Sequence, residues 1–198
     1  TSSVSSTVAG LTALNVGAAS SATTFNSTVA ATTTTLTSTG SATFKGDVTG
    51  ALAFTADGTA NLDDNVDISS NVTGTGGSNG NLVLAGSHTI GGNFGTGGNT
   101  LLALTTTATS GETVAVTGNA IAADTTTIKG NEMTVGGTFG IGASQTLAVN
   151  LTGATTIGHV TATGNATVNA GALFDITIDT ADYIADGQTF TIIDGAAA

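Results

Sequence analysis

A short pattern of residues recurs along this chain, and its spacing limits the folds that the chain can adopt. The pattern is clearest in ATFKGDV (42–48) and ANLDDNV (60–66), where an alanine, a large apolar residue and a valine recur 18 positions later. Looser copies are found along most of the chain. The apolar residues at the centres of the copies are Phe25, Phe44, Leu62, Ile90, Val116, Val135, Ile157 and Val168. Such self-similarity is typical of proteins built from stacked structural repeats.

Short segments of alternating apolar and polar residues precede most copies of the pattern. Examples are ALAF (51–54), NLVL (81–84) and TLAVNL (146–151). Alternation with a period of two predicts β-strands, and the glycines between the segments predict turns. The repeating unit is therefore strand, turn, strand, turn. Two polar insertions, near residues 70–80 and 105–111, are rich in Gly, Ser and Thr and are predicted to be surface loops.

These features predict an all-β fold, a right-handed parallel β-helix (β-solenoid) with rungs of about 18–22 residues. The prediction covers residues 1–171. Stacked rungs lie about 4.8 Å apart, so that their inward apolar side chains form continuous columns. In the two clearest copies, Phe44 is expected to stack on Leu62, and Val48 on Val66.

An antiparallel β-sandwich is the competing fold. It would need tight two-residue hairpin turns, for which Asn-Gly is the strongest signal. Asn79-Gly80 is the only Asn-Gly pair, and it lies within the first insertion. The chain also contains no proline, which agrees with central strands whose N–H groups all donate to a neighbouring strand.

The last part of the chain, residues 172–198, differs from the rest. Its alternation is stronger, and it contains the only tyrosine, Tyr183. It also carries five acidic residues, which are Asp175, Asp179, Asp182, Asp186 and Asp194. We predict a final rung or a junction to a following element. The chain has no initiator methionine and no signal-peptide pattern, which indicates a segment of a larger protein.

The charge of the chain excludes several kinds of partner. Lys45 and Lys129 are its only basic residues, against 13 acidic ones, and the net charge is −11. Binding to nucleic acid requires several cations to neutralise phosphates, so we expect no nucleic-acid partner. No apolar run reaches the ~18 residues that cross a bilayer, so we expect no membrane insertion of this segment. The scarcity of trypsin-type cleavage sites favours an extracellular location.

Two stretches of the sequence resemble a known family. NLVLAGSHTIGGNFGTGGNTLLAL (81–104) and GALFDITIDTADYIADGQTFTIIDG (171–195) resemble passenger domains of bacterial type V autotransporters. They are similar in particular to the rickettsial-type outer-membrane surface proteins, which form S-layer-like coats. Filamentous haemagglutinin-like adhesins share much of this composition. The resemblance covers residues 35–195, and it implies a β-helical stalk on the bacterial cell surface, used for adhesion or coating.

A calcium site is the main candidate for bound chemistry. Asp63, Asp64 and Asp67 lie within five residues, and Ca²⁺ prefers carboxylate and carbonyl oxygen ligands. The alternative interpretation is a solvated turn, because KGD occupies the same place in the preceding copy of the pattern. The two histidines, His88 and His159, are expected about three rungs apart, facing the surface or a neighbouring rung and forming no common site.

The sequence favours no enzymatic function. The chain contains no arginine or tryptophan, no G-x-S-x-G motif, and no glycine-rich loop followed by Lys-Ser/Thr. We therefore predict no catalytic residue and no organic cofactor. The predicted function is a structural or adhesive extracellular β-solenoid that binds a host or cell-surface ligand. The alternative is a self-assembling S-layer or filament subunit, with Ca²⁺ as a candidate ligand, because open strand edges favour association.

Overall fold

The protein consists of β-strands joined by turns. Its structure, a computed structural model, describes residues 2–17, 20–107, 111–152, 156–178 and 184–196. Every regular element in these ranges is a strand. In chain order the strands are β1 (Ser2–Val4), β2 (Val8–Val16), β3 (Ala22–Phe25), β4 (Val29–Leu36), β5 (Ser41–Phe44), β6 (Val48–Phe54), β7 (Thr59–Leu62), β8 (Val72–Gly74), β9 (Asn81–Leu84), β10 (His88–Ile90), β11 (Ala103–Thr106), β12 (Thr113–Val116), β13 (Ala120–Ile121), β14 (Thr125–Lys129), β15 (Glu132–Val135), β16 (Phe139–Ile141), β17 (Thr146–Leu151), β18 (His159–Ala162), β19 (Ala166–Val168), β20 (Leu173–Ile178) and β21 (Ile193–Gly195).

The first sheet confirms the predicted parallel β-solenoid. In the described part of the chain it has nine strands, in the order β1-β3-β5-β7-β9-β11-β14-β17-β20, and all neighbours are parallel. Ala42 pairs with Ala60 and Ala60 with Leu82, which gives rungs of 18 and 22 residues. The last rung is longer, because Leu147 pairs with Phe174, 27 residues later.

The second sheet continues along the same axis. Its two parts have the orders β2-β4-β6-β8 and β10-β12-β15-β18-β21. Ile68 joins them, because it forms parallel bridges to Val48 in one part and to Ile90 in the other.

A third, shorter sheet, β13-β16-β19, completes the later rungs. It is extended by Phe94, which forms parallel bridges to Val72 and to Ala120. The sequence predicted two strands in each rung, and the complete later rungs have three. In the earlier rungs, the long strands β4 and β6 run through a shift of register and cover two faces.

Gly50 lies at that shift of register. Its backbone has a φ of +107°, which strongly favours glycine. A Cβ atom at this position would also collide with the carbonyl oxygen of Ala31 in the preceding rung. The Gly50 N–H donates to Ser69 Oγ of the following rung, at 2.8 Å. Glycine therefore allows the long strand to bend while the rungs on both sides stay in contact.

The core consists of columns of inward side chains from successive rungs. On the first sheet Phe25, Phe44, Leu62 and Leu84 follow one another in register, and all are buried. On the third face Phe94 and Phe139 are fully buried, and Ala120 lies between them in register. Large and small side chains therefore alternate in this column, which fills the interior without crowding.

The structure corrects two predictions about how the rungs align. Leu62 pairs with Leu84, and Ile90 belongs to the second sheet, so the predicted single column of pattern centres is wrong at this point. Val48 pairs with Ile68 and not with Val66. A longer turn causes the second error.

The turn that follows Leu62 is two residues longer than the corresponding turn one rung earlier. Within it the Val66 N–H donates to the Asp63 carbonyl at 3.2 Å, and Asn65 has a φ of +59°. These added residues shift the strand partner of Val48 from Val66 to Ile68. A further difference concerns the insertion predicted at 70–80, which contains strand β8 as well as a turn.

Candidate functional surfaces

The three aspartates of the predicted calcium site lie at the turn between the first and second sheets. All three are exposed. Asp64 Oδ1 accepts a hydrogen bond from the Ser87 N–H at 3.1 Å, and Asp67 Oδ1 accepts one from the Thr89 N–H at 2.6 Å. Both donors belong to the next rung. The two carboxylates therefore hold the backbone of the neighbouring turn.

Asp67 is also part of a chain of such bonds. Its own N–H donates to Asp47 Oδ1 of the preceding rung at 3.0 Å, so that three successive rungs are linked. Among the described residues, no group of three or more acidic or histidine side chains is placed to hold a metal ion. Calcium binding stays a prediction, and the geometry gives Asp64 and Asp67 a structural role.

A ladder of asparagines links the rungs at the turn before the third face. Asn71 Oδ1 accepts the Asn93 N–H at 2.7 Å, and Asn93 Oδ1 accepts the Asn119 N–H at 2.8 Å. Asn119 Oδ1 in turn accepts the Thr138 N–H at 2.8 Å. Sequence reasoning missed this ladder. Its signal is an asparagine directly before the inward residue of the third face, as in Asn93-Phe94 and Asn119-Ala120.

The two histidines occupy different environments of the second sheet. His88 is buried, with Nδ1 2.7 Å from the Val66 carbonyl oxygen and with Nε2 lacking a hydrogen-bond partner among the described residues. His159 faces outward, and its Nε2 lies 3.7 Å from Glu132 Oε1. Strands β12 and β15 separate the strands that carry them. The prediction that the histidines lie three rungs apart is therefore confirmed.

A groove of about 650 Å³ lies on the outer side of the second sheet, across its last rungs. Glu112, Glu132 and Asp194 contribute carboxylates to its lining, together with His159 and the ring of Phe190. Several threonine hydroxyls complete the lining. Glu132 and His159 are each 36% exposed, so solvent weakens the attraction between them. The groove can accept hydrogen bonds from hydroxyl or amino groups of a ligand.

The last strand of the first sheet, β20, exposes apolar side chains. Leu173, Phe174, Ile176 and Ile178 are 57%, 45%, 50% and 49% exposed. Phe174 and Ile176 are in register with Leu147 and Val149, which are buried beneath them. They therefore occupy inward positions of the solenoid without a further described rung to cover them.

The acidic residues predicted for the last rung are only partly described. Asp175, Asp186 and Asp194 are exposed. Asp179, Asp182 and Tyr183 lie outside the described residues. Within the described ranges, no helix has the length and apolar character needed to cross a membrane.

The fold and these surfaces define the chain as a parallel β-solenoid. No protein-family model matches it, and comparison with curated proteins and with solved structures gave no match. The function is therefore argued from the chain's own geometry.

Proposed function

We propose that this chain is a non-enzymatic structural or adhesive β-solenoid exposed on the surface of a bacterial cell. The observation that carries the proposal is the continuity of the hydrogen bonding along the solenoid axis. Backbone ladders run between all successive rungs of the first sheet, and the Asp67 and Asn93 side chains add bonds between rungs at the turns. Such a body is stiff along its axis, as a stalk must be.

The surface chemistry supports an extracellular location. Lys45 and Lys129 are the only basic residues, and both are exposed. Lys129 ends strand β14, whose backbone pairs with strands on both sides. A protease must unfold a segment locally before it can cleave, and a strand paired on both edges opposes such opening. The protein is thus suited to surroundings that contain proteases.

The groove on the second sheet is the surface that we assign to adhesion. It brings carboxylates, hydroxyls and the Phe190 ring together over several rungs, so that an extended ligand can contact all of them. A host or cell-surface ligand carrying hydroxyl or amino groups fits this chemistry, because carboxylates accept hydrogen bonds from both.

Labelling of intact cells tests the proposed location. Antibodies against the chain are expected to bind intact and permeabilised cells of the source organism equally, and brief protease treatment of intact cells is expected to remove the signal. Labelling that requires permeabilisation would overturn the extracellular proposal. An antibody against a cytoplasmic protein of the same cells is the control for integrity.

A second candidate function is a self-assembling subunit of an S-layer or filament, with calcium as a candidate ligand. The exposed apolar side chains of β20 favour it, because a free strand edge with apolar side chains is a template for association. Sedimentation of the purified chain, with calcium and with EDTA, tests this function. Assembly in both conditions supports it without calcium, assembly lost in EDTA supports it with calcium, and a monomer in both overturns it.

A further inference from the structure

We propose that copies of this chain stack head to tail, with β1 of one copy adding to the free edge of β20 in the next. The inference rests on the second proposed function, self-assembly, and adds to it the partner strand, the polarity and the register. A head-to-tail contact uses two different surfaces and does not close on itself, so the product is a filament.

Both strands have a free edge. Among the described strands, β1 pairs with β3 alone and β20 pairs with β17 alone, whereas every strand between them in the first sheet has two neighbours. β1 and β20 belong to the same sheet and run in the same direction. A stack that places β1 beside β20 therefore continues the parallel pairing that already joins all rungs of this sheet.

The columns of the first sheet give the register. Val4, at one end, begins the column that continues through Phe25 and Phe44, and Ile176 lies in that column at the other end. Continuing the column across two copies places Val4 on Ile176. The same register places Ser2 on Phe174, and the small serine leaves room for the large ring, as the alanines of the third face do for Phe94 and Phe139.

The charges of the two ends favour this polarity over a symmetric contact. Residues 1–44 carry no ionisable side chain, whereas the last rung exposes Asp175, Asp186 and Asp194. Two copies joined through β20 on both sides would bring these carboxylates together, and like charges at short range repel. Contact of β20 with β1 places the acidic end against an uncharged one. It also buries Phe174 and Ile176.

Engineered cysteines test the polarity directly, because the chain has no cysteine of its own. Ser3 and Asp175 belong to one outward column of the first sheet, so the proposed stack brings them opposite each other. Cα atoms of directly paired strands lie within the range that a disulfide can bridge. Both positions are exposed, so the substitutions leave the core unchanged.

Three samples are oxidised mildly and separated without reductant. A mixture of the Ser3→Cys and Asp175→Cys chains is expected to yield a cross-linked dimer, and the double variant a ladder of multimers. Each single variant alone is expected to stay uncross-linked. A dimer from Asp175→Cys alone would show a symmetric contact and overturn the polarity, while self-assembly would stand.

A second variant distinguishes loss of stacking from loss of folding. Ile176→Asp places a charge in the proposed contact and is expected to abolish assembly in sedimentation, with the circular dichroism spectrum unchanged. Leu102→Asp is the matched control, because Leu102 is 37% exposed and lies away from both ends, and it is expected to assemble normally. A wild-type chain that stays monomeric and uncross-linked would overturn both the stack and the self-assembly function.

Discussion

The rings of Phe25 and Phe44 stack face to face in successive rungs, with their centroids 5.1 Å apart and their planes 7° from parallel. The spacing is close to that between hydrogen-bonded strands, so the backbone ladder itself sets the ring separation. The column continues with Leu62, which is in register with Phe44. Each ring is therefore covered by the next rung.

Replacing Phe44 tests how far the columns stabilise the solenoid. Phe44→Ala removes a fully buried ring and the stacking partner of Phe25, and we expect a loss of about 3–5 kcal/mol in the free energy of unfolding. Phe44→Leu is expected to cost less, because Leu62 already occupies the next position of the column. Urea unfolding followed by circular dichroism measures both. Leu102→Ala, at an exposed site, is the control, and an equal loss there would contradict the assignment of Phe44 to the core.

Gly50 offers a test of the bend in the long strands. Gly50→Ala places a Cβ against the Ala31 carbonyl at a φ of +107°, and we expect a loss of about 2–4 kcal/mol. Gly140→Ala is the matched control, because Gly140 also lies in a strand but has open space around its missing Cβ. Thermal unfolding of the two variants is compared. Similar melting temperatures would contradict the close packing at Gly50.

Much of this fold can be predicted from the sequence, because stacked rungs repeat one another in their inward residues. Phe44 and Leu62 align both in the pattern and in the structure. Val48 and Val66 also align in the pattern, but the longer turn at Asp63–Asn65 shifts the pairing to Ile68. Alternation marks which side chains point inward, but the number of residues in each turn decides which of them meet.

The functional surfaces are harder to predict, because they depend on contacts between rungs. Asp64 and Asp67 have the residue types of a metal site, yet their carboxylates accept bonds from Ser87 and Thr89, more than 20 residues away. The groove likewise joins Glu132 and His159, which the pattern placed in separate copies. Only the register of the second sheet brings them together.

The asparagine ladder predicts an effect that depends on one oxygen atom. Asn93→Ala leaves the Asn119 N–H without its acceptor, and we expect a loss of about 1–2 kcal/mol in the free energy of unfolding. Asn93→Asp keeps an oxygen at the same position and is expected to retain most of the stability. The control is Asn61→Ala, on an outward strand position. If the Asp variant were as unstable as the Ala variant, the bond to Asn119 would not be the cause.

Substitutions at Asp67 distinguish a structural carboxylate from a calcium ligand. Asp67→Ala removes the acceptor of the Thr89 N–H, and we expect a loss of about 1 kcal/mol. Asp67→Asn keeps an oxygen there and is expected to melt close to the wild-type temperature, with excess calcium or with EDTA. Asp57→Ala, at another exposed site, controls for the lost charge.

The calcium hypothesis predicts a different pattern in the same experiment. A bound ion stabilises the folded state in proportion to the logarithm of its concentration, so calcium would raise the wild-type melting temperature. Asp67→Asn would lose that rise, because an amide oxygen is a weaker ligand than a carboxylate for this ion. Since Asp67 Oδ1 already accepts the Thr89 N–H at 2.6 Å, we expect the melting temperatures to be independent of calcium. A rise that is confined to the wild-type chain would instead establish the aspartate turn as a calcium site.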